Sequence, residues 1–337
     1  MARPKKRTTT EPSKPSTNPF VDALTFLSNV TKPIGPINET HVYLKNGFAT
    51  ASNGILSAGI KIEQELFACP QNHLMIEALS KCGQNLNITQ LDNNRLSIKS
   101  DKFKAIVPCV DSELLVFSYP DSPVGEINNE FKKAIEILGI VPTDASERIT
   151  AVSLLLNGQS LVGTNGTMIF EIWHGLNMPV LAIPKALIKP LSQIKKNITK
   201  FGFSINSFTI WFDDESWIKT QIMAGHWPEI NNILDGPSNP FPLPGDFWPG
   251  LAAITPFAEE GLAYFGKERL SSHQTEGVGA SFEVKGLVEG PVYPIRQLNL
   301  IKDLADTIDF IAPLEKGYCL RFFGKQARGV IAGRNKI

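Results

Sequence analysis

Closely spaced pairs of Asn-Gly dipeptides occur twice in this chain, at Asn46-Gly47 with Asn53-Gly54 and at Asn157-Gly158 with Asn165-Gly166. Asn-Gly between apolar runs is the strongest short hairpin signal, because a type I′ turn needs two residues at φ > 0. Each pair therefore predicts a three-stranded meander, over 42–60 and again over 153–173. The plan extends further. Pro70, Pro184 and Pro294 recur at near-equal intervals, each ahead of a helical pattern and then alternating strands. Asn18-Pro19, Asn128-Asn129 and Asp246-Phe247 read as helix entries opening three blocks. The third block is the weakest copy: 262–284 has no Asn-Gly and must turn at Gly266 and Gly277. Each block reads helix, three strands, helix, three strands. That is an α+β domain, since the period is far too long for a solenoid turn.

At about 100–200 residues per domain, 337 residues suggest two or three domains. The repeat selects three, at 18–122, 123–240 and 241–337, with the second boundary in the linker DGPSNPFPLPG (235–245). Residues 1–17 are Pro, Thr, Ser and Lys with almost nothing apolar, and such a segment does not repay the entropy of ordering. They hold five cations (Arg3, Lys5, Lys6, Arg7, Lys14) and one anion, Glu11, a net +4, so the rest of this net-neutral chain carries −4. A mildly acidic body argues against gripping nucleic acid over its whole surface and permits basic residues gathered on one face. Pro4-Lys5-Lys6-Arg7 is compatible with a nuclear signal, a nucleic-acid contact or a solvated tail.

The second helix of the middle block is the most informative. Leu187, Leu191 and Ile194 share one side, and Lys185, Lys189, Ser192 and Lys196 recur at i, i+4, i+7, i+11 on the other. Pro190 fits only if the helix starts near Leu187, since an interior proline costs about 3 kcal/mol. In the first helix of that block Phe131, Ala134, Ile135 and Leu138 face inward, and Lys132 and Lys133 lie off that face. In the third block a helix is expected over 296–308, and Pro249-Gly250 puts the block's first helix in doubt.

Several chemistries lack their residues. The five histidines form no HxxxH or HxxE group, and the four cysteines form no CxxC, so no metal site and no disulfide framework is expected; the thiols read as buried and reduced. No apolar run approaches the roughly 20 residues of a membrane span. The 261–267 segment nearly spells a phosphate loop, but Glu268 stands where Ser or Thr would hold magnesium, and the apolar residues between the glycines look like a strand. Asp213-Asp214-Glu215 reads as a hairpin tip. No catalytic residue and no cofactor is expected.

In the middle block LVGTNGTMIFEI (161–172) is similar to the strand–TDGHR–strand segment of the bacterial sliding clamps, the beta subunits of DNA polymerase III. AIPKALIKPLSQIKK (182–196) resembles the helix after that family's Val/Ile-Pro. IKTQIMAGHWPEINNIL (218–234) resembles its run ending in Phe-Pro-Asp-Tyr, and LNITQLDNNRLSIKSDKFKAIVPCVD (86–111) resembles its first domain. The resemblance spans about 18–337. The basic tail and the ending VIAGRNKI depart from it and suggest a viral or plasmid-borne member.

The resemblance implies three clamp-type domains, each with two inner helices and two outer antiparallel sheets. It further implies a head-to-tail homodimer closing into a ring around double-stranded DNA, in the cytoplasm, with no chemistry of its own. Lys132, Lys133, Lys185, Lys189, Lys196, Arg296 and Lys302 would line the hole. Short peptides from a DNA polymerase and the clamp loader would dock in an apolar groove. The positions matching the family's groove are Thr164, Gly166, Thr167, Met168, Ile169, Pro228, Ile233, Val330, Ile331 and Ala332. Two other readings stand beside it: a clamp-fold scaffold or decoy that binds replication proteins without encircling DNA, and a nucleotide enzyme resting on the near-phosphate loop.

Overall fold

The computed structural model describes residues 18–83, 85–142, 148–275, 277–314 and 317–334; the expectation for 1–17 lies outside them. The chain divides into two compact units, 1–119 and 120–337. The break is close to the expected boundary after 122.

In the first unit the Asn18 side chain accepts from the Phe20 amide at 3.0 Å and opens the helix Pro19–Leu27. Strands Tyr43–Lys45, Phe48–Ser52 and Leu56–Lys61 follow as an antiparallel ladder, then the helix Asn72–Ser80, then a second ladder of Leu86–Leu91, Arg95–Ser100 and Phe103–Pro108. Gln71 is the cap residue of the second helix. Asn72 is 1% exposed. Its amide donates to Leu24 O (3.1 Å), Ser28 Oγ (3.1 Å) and Thr31 Oγ1 (2.8 Å), which ties the two helices together.

The second unit repeats this order twice. Helix Asn129–Leu138, strands Ser153–Asn157, Ser160–Thr164, Met168–Trp173 and Leu181–Pro184, helix Lys185–Gln193, and strands Ile198–Phe203, Ser207–Phe212 and Trp217–Gln221 form the first pass. Helix Phe247–Ile254, strands Leu262–Gly266, Arg269–Ser271, Ser281–Glu283 and Val292–Pro294, helix Ile295–Leu300, and strands Thr307–Leu314, Gly317–Phe323 and Ala327–Ala332 form the second. The doubtful helix exists because Pro249 sits in its first turn, where an amide donor has no partner to lose. The expected helix over 296–308 stops at Leu300, and Ile308 belongs to a strand. The two passes share one sheet: Met168–Trp173 pairs antiparallel with Ala327–Ala332, Ile169 opposite Val330. The expected boundary after 240 therefore falls inside this unit.

The turns differ in kind from one Asn-Gly to the next. Asn46 and Gly47 both have positive φ (50° and 73°), as type I′ demands. At 157–160 only Gly158 does (62°), with Gln159 as the second loop residue, a type II′ pattern. At Asn53 and Asn165 the side chain makes the turn: Asn165 Oδ1 accepts from the amides of Thr167 (3.0 Å) and Met168 (3.1 Å). In the third block the chain reverses at Lys267 and Glu268 (φ 55°), not at Gly266.

Candidate functional site

Side chains alternate across a strand, so the shared sheet has two distinct faces. Leu154, Gly163, Phe170, Gly329 and Phe322 lie in register on one of them. A Cβ on Gly163 would lie 3.5 Å from Leu138, so this face takes the helix Asn129–Leu138. Phe170 and Phe322 meet edge-on across Gly329 at 5.1 Å, and a Cβ there would come within 2.7 Å of Phe170.

The opposite face carries Leu155, Val162, Thr164, Ile169 and Val330. The segment after Trp217–Gln221 crosses it. Trp227, Ile230 and Leu234 from that segment pack on Leu155, Val162, Ile169, Ala312, Cys319 and Val330, with Leu314 at the margin. Trp227 donates its indole N–H to Ser153 Oγ at 3.2 Å. The short helix Asn231–Leu234 turns Ile230 and Leu234 inward and leaves Ile233 41% exposed. Pro228 is exposed beside it. Above the sheet, Gly166 (φ 89°) and Thr167 form the turn, whose Thr167 carbonyl accepts from the Ala332 amide at 2.8 Å. Thr167 Oγ1 accepts from Gln297 Nε2 at 3.0 Å.

The matched positions thus divide. Thr164, Ile169, Val330 and Ala332 share the face, Pro228 and Ile233 border it from the crossing segment, and Gly166 and Thr167 sit at its end. Met168 and Ile331 are a correction: they pair with each other, and alternation turns both toward the Phe170 face. Leu155, Val162, Ile230, Leu234 and Leu314 were not foreseen. Ser153–Asn157 is apolar at three successive positions, which hides its period of two; Ile230 and Leu234, spaced i, i+4, were a readable signal.

One charged cluster borders this apolar patch. Buried Glu171 accepts from Ser160 Oγ (2.6 Å) and Arg328 Nε (2.7 Å), and Arg328 also reaches Asp235. Burial works against the Arg328 charge, but Glu171 and Asp235 outweigh it and hold its pKa above the ordinary value.

The seven nominated cations are not equivalent. Lys132 donates to Ile194 O at 2.6 Å, Lys185 to Pro142 O at 2.9 Å, and Lys133 pairs with Glu130 at 2.7 Å. The helix Lys185–Gln193 ends before Lys196, so the expected stripe is cut short. Lys196 instead bonds Asp214 (2.5 Å) and Ser216 Oγ (3.0 Å) at the foot of the 213–215 turn. Lys189, Arg296 and Lys302 are exposed. Pro190 is interior to its helix after all. The carbonyl that it deprives of a donor belongs to exposed Ala186, where water can serve.

Among the described residues, no cluster of three or more His, Cys, Asp or Glu is placed to hold a metal, and no helix is long and apolar enough to cross a membrane. The near-phosphate loop is the strand Leu262–Gly266, extended where a phosphate cradle must curl. Burial pushes the Cys69 thiol up to about 12 and Cys109 to about 11, so both rest protonated.

This repeated arrangement of helices and ladders is the fold of the bacterial sliding clamps. The beta chain of DNA polymerase III from Streptococcus pneumoniae superposes with a TM-score of 0.76 at 14% identity, over 94% of this chain and 97% of that one. The Bacillus subtilis sliding clamp gives 0.77 at 12%, over 95% and 97%. The Helicobacter pylori beta clamp bound to a DNA ligase peptide gives 0.75 at 15%, over 94% and 98%. No family model matches the sequence, and no curated protein does.

Proposed function

We propose that this chain is a DNA sliding clamp: a non-enzymatic processivity factor that closes as a homodimer around duplex DNA and tethers a replicative polymerase in the cytoplasm. The observation that carries the reading is coverage. The clamp fold runs through 94% of this chain and 97–98% of the compared clamps, so whole clamp subunits are matched and not one module. Three repeats at 18–122, 123–240 and 241–337 are the domain division this reading implies. The margin of that apolar face, left open beside Pro228 and Ile233, is its docking groove for short peptides of the polymerase and loader. A DNA ligase peptide bound to the Helicobacter pylori clamp supports peptide capture as a property of the fold. Exposed Lys189, Arg296 and Lys302 are the first candidates for phosphate contact. The test is primer extension on primed circular DNA with a loader and polymerase of the same origin. Longer products per binding event are expected with the protein than without it, and unchanged product length counts against the reading.

One observation favours a second reading. Lys132, Lys185 and Lys196 are engaged inside the chain, which lessens the charge available to phosphates. A clamp-fold scaffold or decoy that binds replication proteins without encircling DNA would bind the ligase peptide yet show no retention on circular DNA.

A further inference from the structure

We infer that Arg321 is a positioning residue for the candidate peptide groove, holding the backbone wall that presents Ile233; this rests on the reading of that face as a docking site. Arg321 is 2% exposed and is among the largest fully buried side chains of the chain. It lies in a cross-strand row with Val330 on one side and Asp309 on the other, on the same face as the groove residue Ile169 and separated from it by Val330. Its Nη1 donates to Ile233 O at 2.6 Å and to Leu234 O at 3.0 Å. Those are the last carbonyls of the short helix Asn231–Leu234, which lack partners within the helix itself.

The row is closed on both sides. Asp309 accepts from the Asn239 amide at 2.8 Å, which pins the chain just after the helix. Arg328 reaches Asp235 from the neighbouring strand. Gly236 is small for a reason: a Cβ there would lie 2.2 Å from Arg321 Nη2. A buried cation is costly to desolvate, and an apolar side chain of similar volume would serve plain packing as well or better. What the apolar side chain lacks is a donor nitrogen whose two N–H groups fix two consecutive carbonyls. The helix has only four residues and could not hold its own shape. Without those two bonds, Ile230 and Leu234 still anchor one side, but the exposed Ile233 side is free to shift. The groove then loses its preformed width and affinity falls through the cost of ordering it.

The experiment compares the full chain with Arg321→Met, Arg321→Lys and Gly236→Ala. It reads amide hydrogen exchange by mass spectrometry and binding of the Helicobacter pylori DNA ligase peptide by anisotropy. Arg321→Met is expected to speed exchange roughly tenfold over 231–239, leave 168–173 unchanged and weaken the peptide by a similar factor. Arg321→Lys, which keeps the charge and a single donor nitrogen on a shorter, non-planar head, should recover part of both losses. Gly236→Ala should reproduce the pattern from the other side and stands in if Arg321→Met does not fold. Unchanged exchange over 231–239, or exchange raised across the whole sheet, overturns the inference. So does local exchange that rises with no change in peptide affinity. If the parent chain binds no peptide, the groove reading fails instead, and the exchange comparison still decides whether Arg321 fixes the wall.

Discussion

His174 shows how much one buried polar side chain can contribute. It is 5% exposed, its ring meets Phe131 edge-on at 5.3 Å, and Nδ1 accepts from the Leu176 amide at 3.2 Å. Burial lowers its pKa below the ordinary 6.5, and the hydrogen bond to Ser160 only partly opposes this. The unfolded chain therefore takes up a proton at a pH where the folded chain does not. Stability from this group is complete above pH 6.5 and is lost as pH falls through that value toward the lowered folded one. Melting at about pH 7.5 and about pH 5.5 should show a lower Tm in acid, and His174→Asn should flatten the difference. An equal slope in the variant would assign the acid sensitivity elsewhere. Asn72 makes the second residue-scale case. Its replacement by Ala removes three hydrogen bonds from this buried helix contact, at a cost of about 1–3 kcal/mol. Denaturant titration of Asn72→Ala should show that loss; a change within about 0.5 kcal/mol, as for ordinary surface sites, would mean that water replaces the amide.

At the scale of elements, the nominated cations separate by what surrounds them. Lys132, Lys185 and Lys196 each bond a carbonyl or carboxylate within the unit, so their substitution confounds DNA binding with folding. Lys189, Arg296 and Lys302 are exposed on or just after helices, and Lys189→Glu with Arg296→Glu and Lys302→Glu is the cleaner test. Retention on DNA should fall severalfold while the melting temperature stays within a degree or two, since surface changes rarely exceed about 0.5 kcal/mol. Normal retention in that triple variant would remove the helix cations from the interface. The sequence already carried the repeated order of helix, meander, helix, meander, because caps, turns and periodicity are local. It misjudged what depends on partners distant in the chain. Lys196 looked like a helix residue until Asp214 and Ser216 claimed it from another hairpin. Met168 looked like groove lining because a family position names a residue, not the face on which its side chain falls. Arg321 was illegible, since nothing local says that a strand arginine will meet the carbonyls of a helix 87 positions earlier.

At the scale of the whole molecule, the proposed clamp would hold DNA by topology and not by affinity, given its charge distribution. The chain beyond residue 17 carries −4, and four nominated cations already have partners inside the chain. Direct binding would be weak, and each phosphate contact would make log K fall by about 0.9 per decade of salt. A closed ring of two copies needs none of that affinity, because leaving requires an end or an open interface. Mass measurement in solution should therefore give twice the 37.0 kDa of the chain. Once loaded on nicked circular DNA, the protein should persist through a rise in salt that strips an ordinary basic DNA-binding protein. Linearising that DNA with a nuclease should then release it within the time needed to slide to an end. Equal release from circle and line, or loss from the circle that tracks salt with the slope of direct binding, would show that the protein holds DNA by contact and would leave the scaffold reading in its place.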